Sequence, residues 1–254
     1  MNKMLRSSLF SLLSCTLLLS GCGSNSIGLN ENSVGAATDL FKAATLTDDE
    51  VKQIAKNAAK ELDTNNKMAA PSDKYGSRLA KITKGLDNED GIALNFKVYM
   101  VKDINAFAMA DGTVRVFAGL MDLMTDDEVR FIIGHEIGHA KLGHIKKATQ
   151  TAYTASAARK GAAASGNQTV SALSASELGA LGEELINAQF SQSQESDSDA
   201  YGVAFMKKQK FNLNAAVSAM EKLQGSGDSG HSMLSSHPSS ADRVAKLKEL
   251  IQVK

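Results

Sequence analysis

His135-Glu136-Ile137-Gly138-His139 constrains the fold of this chain more than any other segment. On an α-helix, positions i and i+4 stand one turn apart on one face, so two imidazoles can reach a single cation at about 2.1 Å. Zn²⁺ is the cation this pattern suits, and Glu136, about 100° further round the helix, is placed to act as general base on a metal-activated water. A helix must therefore form here. Thr125-Asp126-Asp127-Glu128 has the form of a capping box and opens it. The acids behind Thr125 and the lysines near its end suit the helix dipole and predict a helix from Thr125 to about Lys147.

Two histidines leave a catalytic zinc short of one protein ligand, with a fourth position kept open. His144 follows His139 by five residues, about 140° round the helix, and reads as a surface or packing residue. Leu142 also stands where a longer zinc motif would need glycine. Gln194-Glu195-Ser196-Asp197-Ser198-Asp199 is the better source, because Glu195 and its i+4 neighbour Asp199 share a helical face. One of these carboxylates can ligate while the other takes the free N–H of a ligand histidine, and the spacing leaves open which does which.

At the N-terminus, Lys3 and Arg6 precede the apolar run Leu9 to Leu19, which is too short to span a bilayer and reads as a secretory signal. Leu19-Ser20-Gly21-Cys22 resembles a bacterial lipobox. The expected organisation is a signal peptide over 1–21, a lipidated Cys22 with a flexible tether over 22–45, and one domain over 46–254. Gly23 after the cysteine matches the pattern sorted to the outer membrane. Removal of Cys15 with the signal leaves no pair for a disulfide. Basic and acidic residues number 28 each, which excludes a general field attracting nucleic acid or an anionic membrane. Membrane contact is thereby assigned to lipid.

A capping box at Thr47-Asp48-Asp49-Glu50 predicts a helix with Val51, Ile54, Ala55, Ala58 and Leu62 on one face, followed by a short helix over Tyr75–Leu86. Between Asn95 and Phe117 the period changes to two, and Asp111-Gly112 between the alternating runs predicts a hairpin. Met100, Met109, Met121 and Met124 around it read as core filler. Residues 148–182, rich in Ala, Ser, Gly and Thr, predict a mobile helical excursion. Further helices are expected over Glu183–Lys208, Asn214–Leu223 and Ser239–Ile251, with His231 and His237 in a Gly/Ser loop.

Together with Asn105-Ala106-Phe107-Ala108, Gly112, Ser236-His237-Pro238 and Arg243, these segments resemble the M48 family of zinc metallopeptidases over about residues 50–250. The resemblance implies an α+β, mainly helical, zincin-like metalloprotease domain with a small sheet or hairpin beside the His135–His139 helix. It implies Glu195 as third zinc ligand and Asp199 as the support behind a ligand. It also implies that the segment from Asn105 through Ala106, Phe107 and Ala108 to Met109 is an edge strand pairing with extended substrate, and that His237 and Arg243 stabilise the oxyanion or orient the site. Ser198 replaces the family's usual Ala, and Met109-Ala110-Asp111-Gly112 stands where Pro-Gly-Gly is common; neither change touches a ligand. The expected activity is that of a zinc endopeptidase, one Zn²⁺ per chain, acting on unfolded or misfolded envelope proteins from a lipid-anchored position on the periplasmic side of the outer membrane. A chaperone-like, zinc-holding lipoprotein is the alternative, and it would have no use for Glu136. A purely structural lipoprotein would hold no metal.

Overall fold

Alternation, capping and one buried cation decide where the elements fall. The computed structural model describes residues 31–164, 177–227, 232–238 and 241–253; the signal segment, Cys22, the first part of the expected tether and His231 lie outside them. In chain order the elements are α1 (Glu31–Thr45), α2 (Asp48–Asn65), α3 (Lys74–Ile82), β1 (Asn88–Glu89), β2 (Ile92–Ala93), β3 (Asn95–Tyr99), β4 (Ala106–Ala108), β5 (Thr113–Phe117), α4 (Ala118–Leu123), α5 (Asp126–Lys141), α6 (His144–Ala164), α7 (Glu177–Ile186), α8 (Gln192–Lys208), α9 (Asn214–Ser226), α10 (Met233–Ser236) and α11 (Ala241–Leu250). The architecture is α+β and mainly helical. Among the described residues no helix is long and apolar enough to cross a membrane.

Both expected capping boxes form, at Thr47 with Glu50 and at Thr125 with Glu128. Each satisfies amide groups that a helix start leaves open. Phe131, Ile132, Ile133 and Ile137 of α5 are buried and join residues of α8, α9 and the sheet in the main core. Each such side chain contributes about 1.5–3 kcal/mol by leaving water. Met121 and Met124 lie in that core, and Met109 joins Tyr99, Phe107 and Phe117 in a smaller one against α2.

The sheet corrects the expected pairing. Its order is β3-β5-β4, with β3 parallel to β5 and β4 antiparallel to β5. The Asp111-Gly112 turn therefore joins β4 to β5 rather than linking the two longer alternating runs. β5 is buried at every position, Arg115 included, and a strand covered on both faces belongs in the middle. Arg115 can occupy that place because Asp63 of α2 meets it with two hydrogen bonds, at 2.8 and 3.0 Å. Gly112 has φ +88°, and a Cβ there would lie 1.9 Å from Ala93 O, so only glycine fits the turn beside β3.

Three expected boundaries move. Residues 31–45 of the expected tether form α1, packed on α6, because Asp39 is buried against Ser156 Oγ (2.7 Å) and Lys160 Nζ (2.9 Å). The helix expected to reach Lys147 stops at Lys141, where Gly143 takes φ +77° and α6 begins anew at His144. The helix expected over Glu183–Lys208 is divided between α7 and α8, because Ser191 and Gln194 form a capping box of their own. Of the excursion over 148–182, residues 148–164 continue α6, and 165–176 lie outside the described residues.

Candidate metal centre and active site

Small residues bring α5 and α8 almost into backbone contact. A Cβ on Gly138 would stand 3.2 Å from Ser198 Cα, and one on Gly202 would stand 3.2 Å from the amide nitrogen of His135. This approach sets the first turns of α8, with Glu195 and Asp199, against His135 and His139. One atom from each of His135, His139, Glu195 and His237 falls within 4.8 Å of the other three, and all four residues are buried.

Asp199 Oδ1 accepts from His135 Nδ1 at 3.0 Å, which leaves the lone pair of His135 on Nε2. Arg243 donates to both Asp199 oxygens and brings Nη1 to 2.6 Å from Glu195 Oε2. His139 Nε2 lies 3.1 Å from His135 Nε2 and 3.4 Å from Glu195 Oε1. His237 Nδ1 lies 3.0 Å from Glu195 Oε1 and 3.3 Å from His135 Nε2, while its Nε2 is 3.5 Å from Glu136 Oε1. Arg243 thus serves the orienting option left by the sequence, and His237 stands among the potential ligands rather than apart from them.

The donor set fits a cation. Two imidazole nitrogens 3.1 Å apart beside a carboxylate gain most when a positive charge lies between them. Among the described residues, buried Glu136 Oε1 accepts no hydrogen bond, and buried Glu195 Oε2 accepts none beyond its ion-pair contact with Arg243 Nη1 at 2.6 Å. Burial opposes charge on Glu195, but hydrogen bonds from His139 and His237 outweigh it and hold the carboxyl well below the usual range. Burial drives His139 far below its ordinary value, so the imidazole is neutral and able to ligate a cation once the proton it shares with Glu195 is displaced. Glu136 is raised, chiefly by burial, against the opposing charges of His237 and His135. A raised carboxylate is a stronger base, which is what proton abstraction needs.

Two site residues escaped the sequence reading. His144, set aside on angular grounds, is buried with Nδ1 3.1 Å from His139 Nδ1 and 3.4 Å from Ser198 Oγ. The break at Gly143 turns it back toward the site, and that glycine was the available signal. Phe190, between α7 and α8, lays its ring 3.9 Å from the centroid of His139 and 5.2 Å from that of His237. Nothing in its local sequence marks it.

Asn105–Ala108 lies beside α5, the helix that carries Glu136. β4 is an edge of the sheet and packs beside α5. Phe117 N–H bonds Asn105 O and Met109 N–H bonds Thr113 O, so by alternation Ala106 and Ala108 direct their backbone groups away from β5. The Ala108 backbone amide is a minor influence that lowers the Glu136 carboxyl, against the burial that raises it.

The profile of peptidase family M48 matches residues 74–251. The chain is 39% identical over 246 residues to "Metalloprotease YcaL" of Escherichia coli (strain K12), covering 96% of both chains. It is 40% identical over 240 residues to "Metalloprotease LoiP" of the same organism, covering 93% of both. It is also 25% identical over 168 residues to the "Putative beta-barrel assembly-enhancing protease" of Vibrio cholerae, covering 61% of this chain and 34% of that one. The chain that brings a helix-borne pair of histidines together with a carboxylate from a second helix is thus similar along nearly its whole length to two proteins named as metalloproteases, and it belongs to peptidase family M48.

Proposed function

We propose that this metallopeptidase is a zinc-dependent endopeptidase of the bacterial envelope that cleaves extended segments of unfolded or misfolded proteins. His135, His139 and Glu195 hold the zinc, and Asp199 fixes His135 from behind. The observation that carries the reading is the packing of edge strand β4 beside α5, which sets Glu136 close to where a peptide backbone would lie. Bound there, the cation supplies Lewis acidity that activates water at neutral pH and polarises the scissile carbonyl. Glu136 accepts the water's proton and delivers it to the leaving amine. β4 holds the substrate by main-chain hydrogen bonds through Ala106 and Ala108, which explains a preference for extended chains over folded ones. His237 Nε2, 3.5 Å from Glu136 Oε1, is placed to donate to a developing oxyanion.

The lipobox supports a lipid anchor at Cys22, and Gly23 supports the outer membrane with the catalytic domain facing the periplasm.

Glu136→Gln tests the chemistry. The variant should purify with one zinc per chain by elemental analysis and hydrolyse an unfolded model protein roughly 10²–10⁴-fold more slowly. Hydrolysis within a few fold of the parent would remove Glu136 from the mechanism. Cys22→Ala should abolish acylation by mass spectrometry and release the protein from the outer-membrane fraction. Retention of an intact mature chain in that fraction would end the lipoprotein reading.

A further inference from the structure

α1 carries an apolar stripe that no described residue covers. Val34, Leu40 and Phe41 are 53%, 53% and 69% exposed, and the exposed Ala37 and Ala44 complete the stripe. At 100° per residue the five fall within about 120° of the helix circumference, and no charged side chain enters that arc. Three of the most exposed large apolar side chains on one short helix are more than scattered surface hydrophobics.

The opposite face of α1 is fixed. Asp39, buried there, accepts from Ser156 Oγ and pairs with Lys160 Nζ, and a Cβ on Gly35 would sit 3.2 Å from Lys160 Cδ. α1 cannot roll its stripe inward without leaving a buried carboxylate unpaired. The stripe is held outward.

The chain ahead of α1 indicates what covers it. Nine residues lead from Cys22 to Glu31, at most about 30 Å when fully extended. We propose that α1 lies in the interfacial layer of the bilayer that carries the protein, with Val34, Leu40 and Phe41 among the upper acyl chains. The proposal rests on the lipid anchor at Cys22, which holds α1 within reach of that surface. A one-sided stripe about 15 Å long suits a helix sunk roughly 5–10 Å into the headgroup boundary. Three large side chains and two alanines fall well short of the ~800 Å² per partner that a stable dimer buries. The consequence reaches the active site: α6, pinned to α1 at Ser156, begins with His144 about 18 Å further along its axis, beside His139. Docking of α1 sets the height and tilt of the catalytic centre above the membrane.

Acylation blocks Cys22 and cleavage removes Cys15, so one introduced cysteine can be labelled alone. Full-length, acylated Ala37→Cys and, as a control on the exposed face of α2, Lys60→Cys would carry a polarity-sensitive fluorophore in vesicles of phosphatidylethanolamine and phosphatidylglycerol. Spin-labelled lipid should quench the label at 37 several-fold more than at 60. Adding Leu40→Ser and Phe41→Ser should abolish the difference while peptide hydrolysis in detergent stays unchanged. Equal, water-like spectra at both positions with Cys22 acylated overturn the docking and leave the anchor standing. Cross-linking between two copies through position 37, without quenching by lipid, overturns it in favour of a second copy. A Cys22 without lipid overturns anchor and docking together.

Discussion

Arg243 holds Asp199 in a fork, Nε to Oδ2 and Nη2 to Oδ1, each at 2.8 Å. Asp199 passes the restraint to His135 Nδ1 at 3.0 Å, so the orientation of a candidate ligand depends on a residue from the last helix. Lysine supplies a point charge without the fork. Arg243→Lys should fold and bind metal about tenfold more weakly in chelator competition. Arg243→Ala leaves two buried carboxylates without their cation and should cost about 3–5 kcal/mol in urea unfolding. Unchanged metal affinity in Arg243→Lys would take Arg243 out of this chain of support.

Glu195 and Asp199 should fail differently. Glu195→Ala removes the carboxylate proposed as a ligand and should purify largely free of metal and inactive. Asp199→Ala should keep metal with affinity lowered by roughly 10–100-fold, its activity partly restored by added zinc. A metal-free Asp199→Ala beside a metal-replete Glu195→Ala would exchange the two roles.

His144→Ala deprives buried His139 Nδ1 of its 3.1 Å neighbour. The metal Kd should rise about tenfold or more, and His144→Asn, which restores an acceptor, should recover part of that. Metal affinity identical to the parent in both variants would return His144 to a packing role.

Asp63 governs the acid limit of the sheet. Burial pushes its carboxyl up, but hydrogen bonds from Arg115, Lys97 and Tyr99 outweigh it and hold the carboxyl at about 2. A depressed folded value stabilises above the unfolded value near 3.8 and loses that contribution as pH falls toward 2. Asp63→Asn should therefore cost about 3 kcal/mol at pH 7, because Arg115 stays buried, and the gap from the parent should narrow between pH 4 and 2. Urea midpoints over that range check it. A gap independent of pH would show that packing, not charge, is responsible.

What was legible in the sequence was what short-range chemistry dictates. Thr47 with Glu50 and Thr125 with Glu128 start their helices, and the spacing of His135, His139, Glu195 and Asp199 already puts each pair on one face. What stayed hidden depends on partners distant in sequence. β3 pairs with β5 because Asp63, on α2, neutralises Arg115 inside the sheet, and no local period announces that. α1 lacks a conventional apolar core face because its anchor is the single buried Asp39. His237 was expected near the oxyanion or as an orienting residue, but its place among the potential ligands depends on a contact from the far end of the chain that the spacing does not show. Gly143 and the Ser191–Gln194 box were readable signals that the longer helical periodicity outweighed.

On the function proposed above, cleavage and recognition sit on different parts of this molecule. The side chains that could hold a cation project from the close approach of α5 and α8, while β4 belongs to a sheet anchored on α2, and the packing of β4 beside α5 is where the two come together. Substitutions along β4 or its turn can drift in evolution, retuning which chains are gripped while the hydrolytic machinery stays intact. Such a division lets one ancestral catalyst diversify into paralogues with separate clients, and gives an engineer a specificity dial that does not disturb the metal.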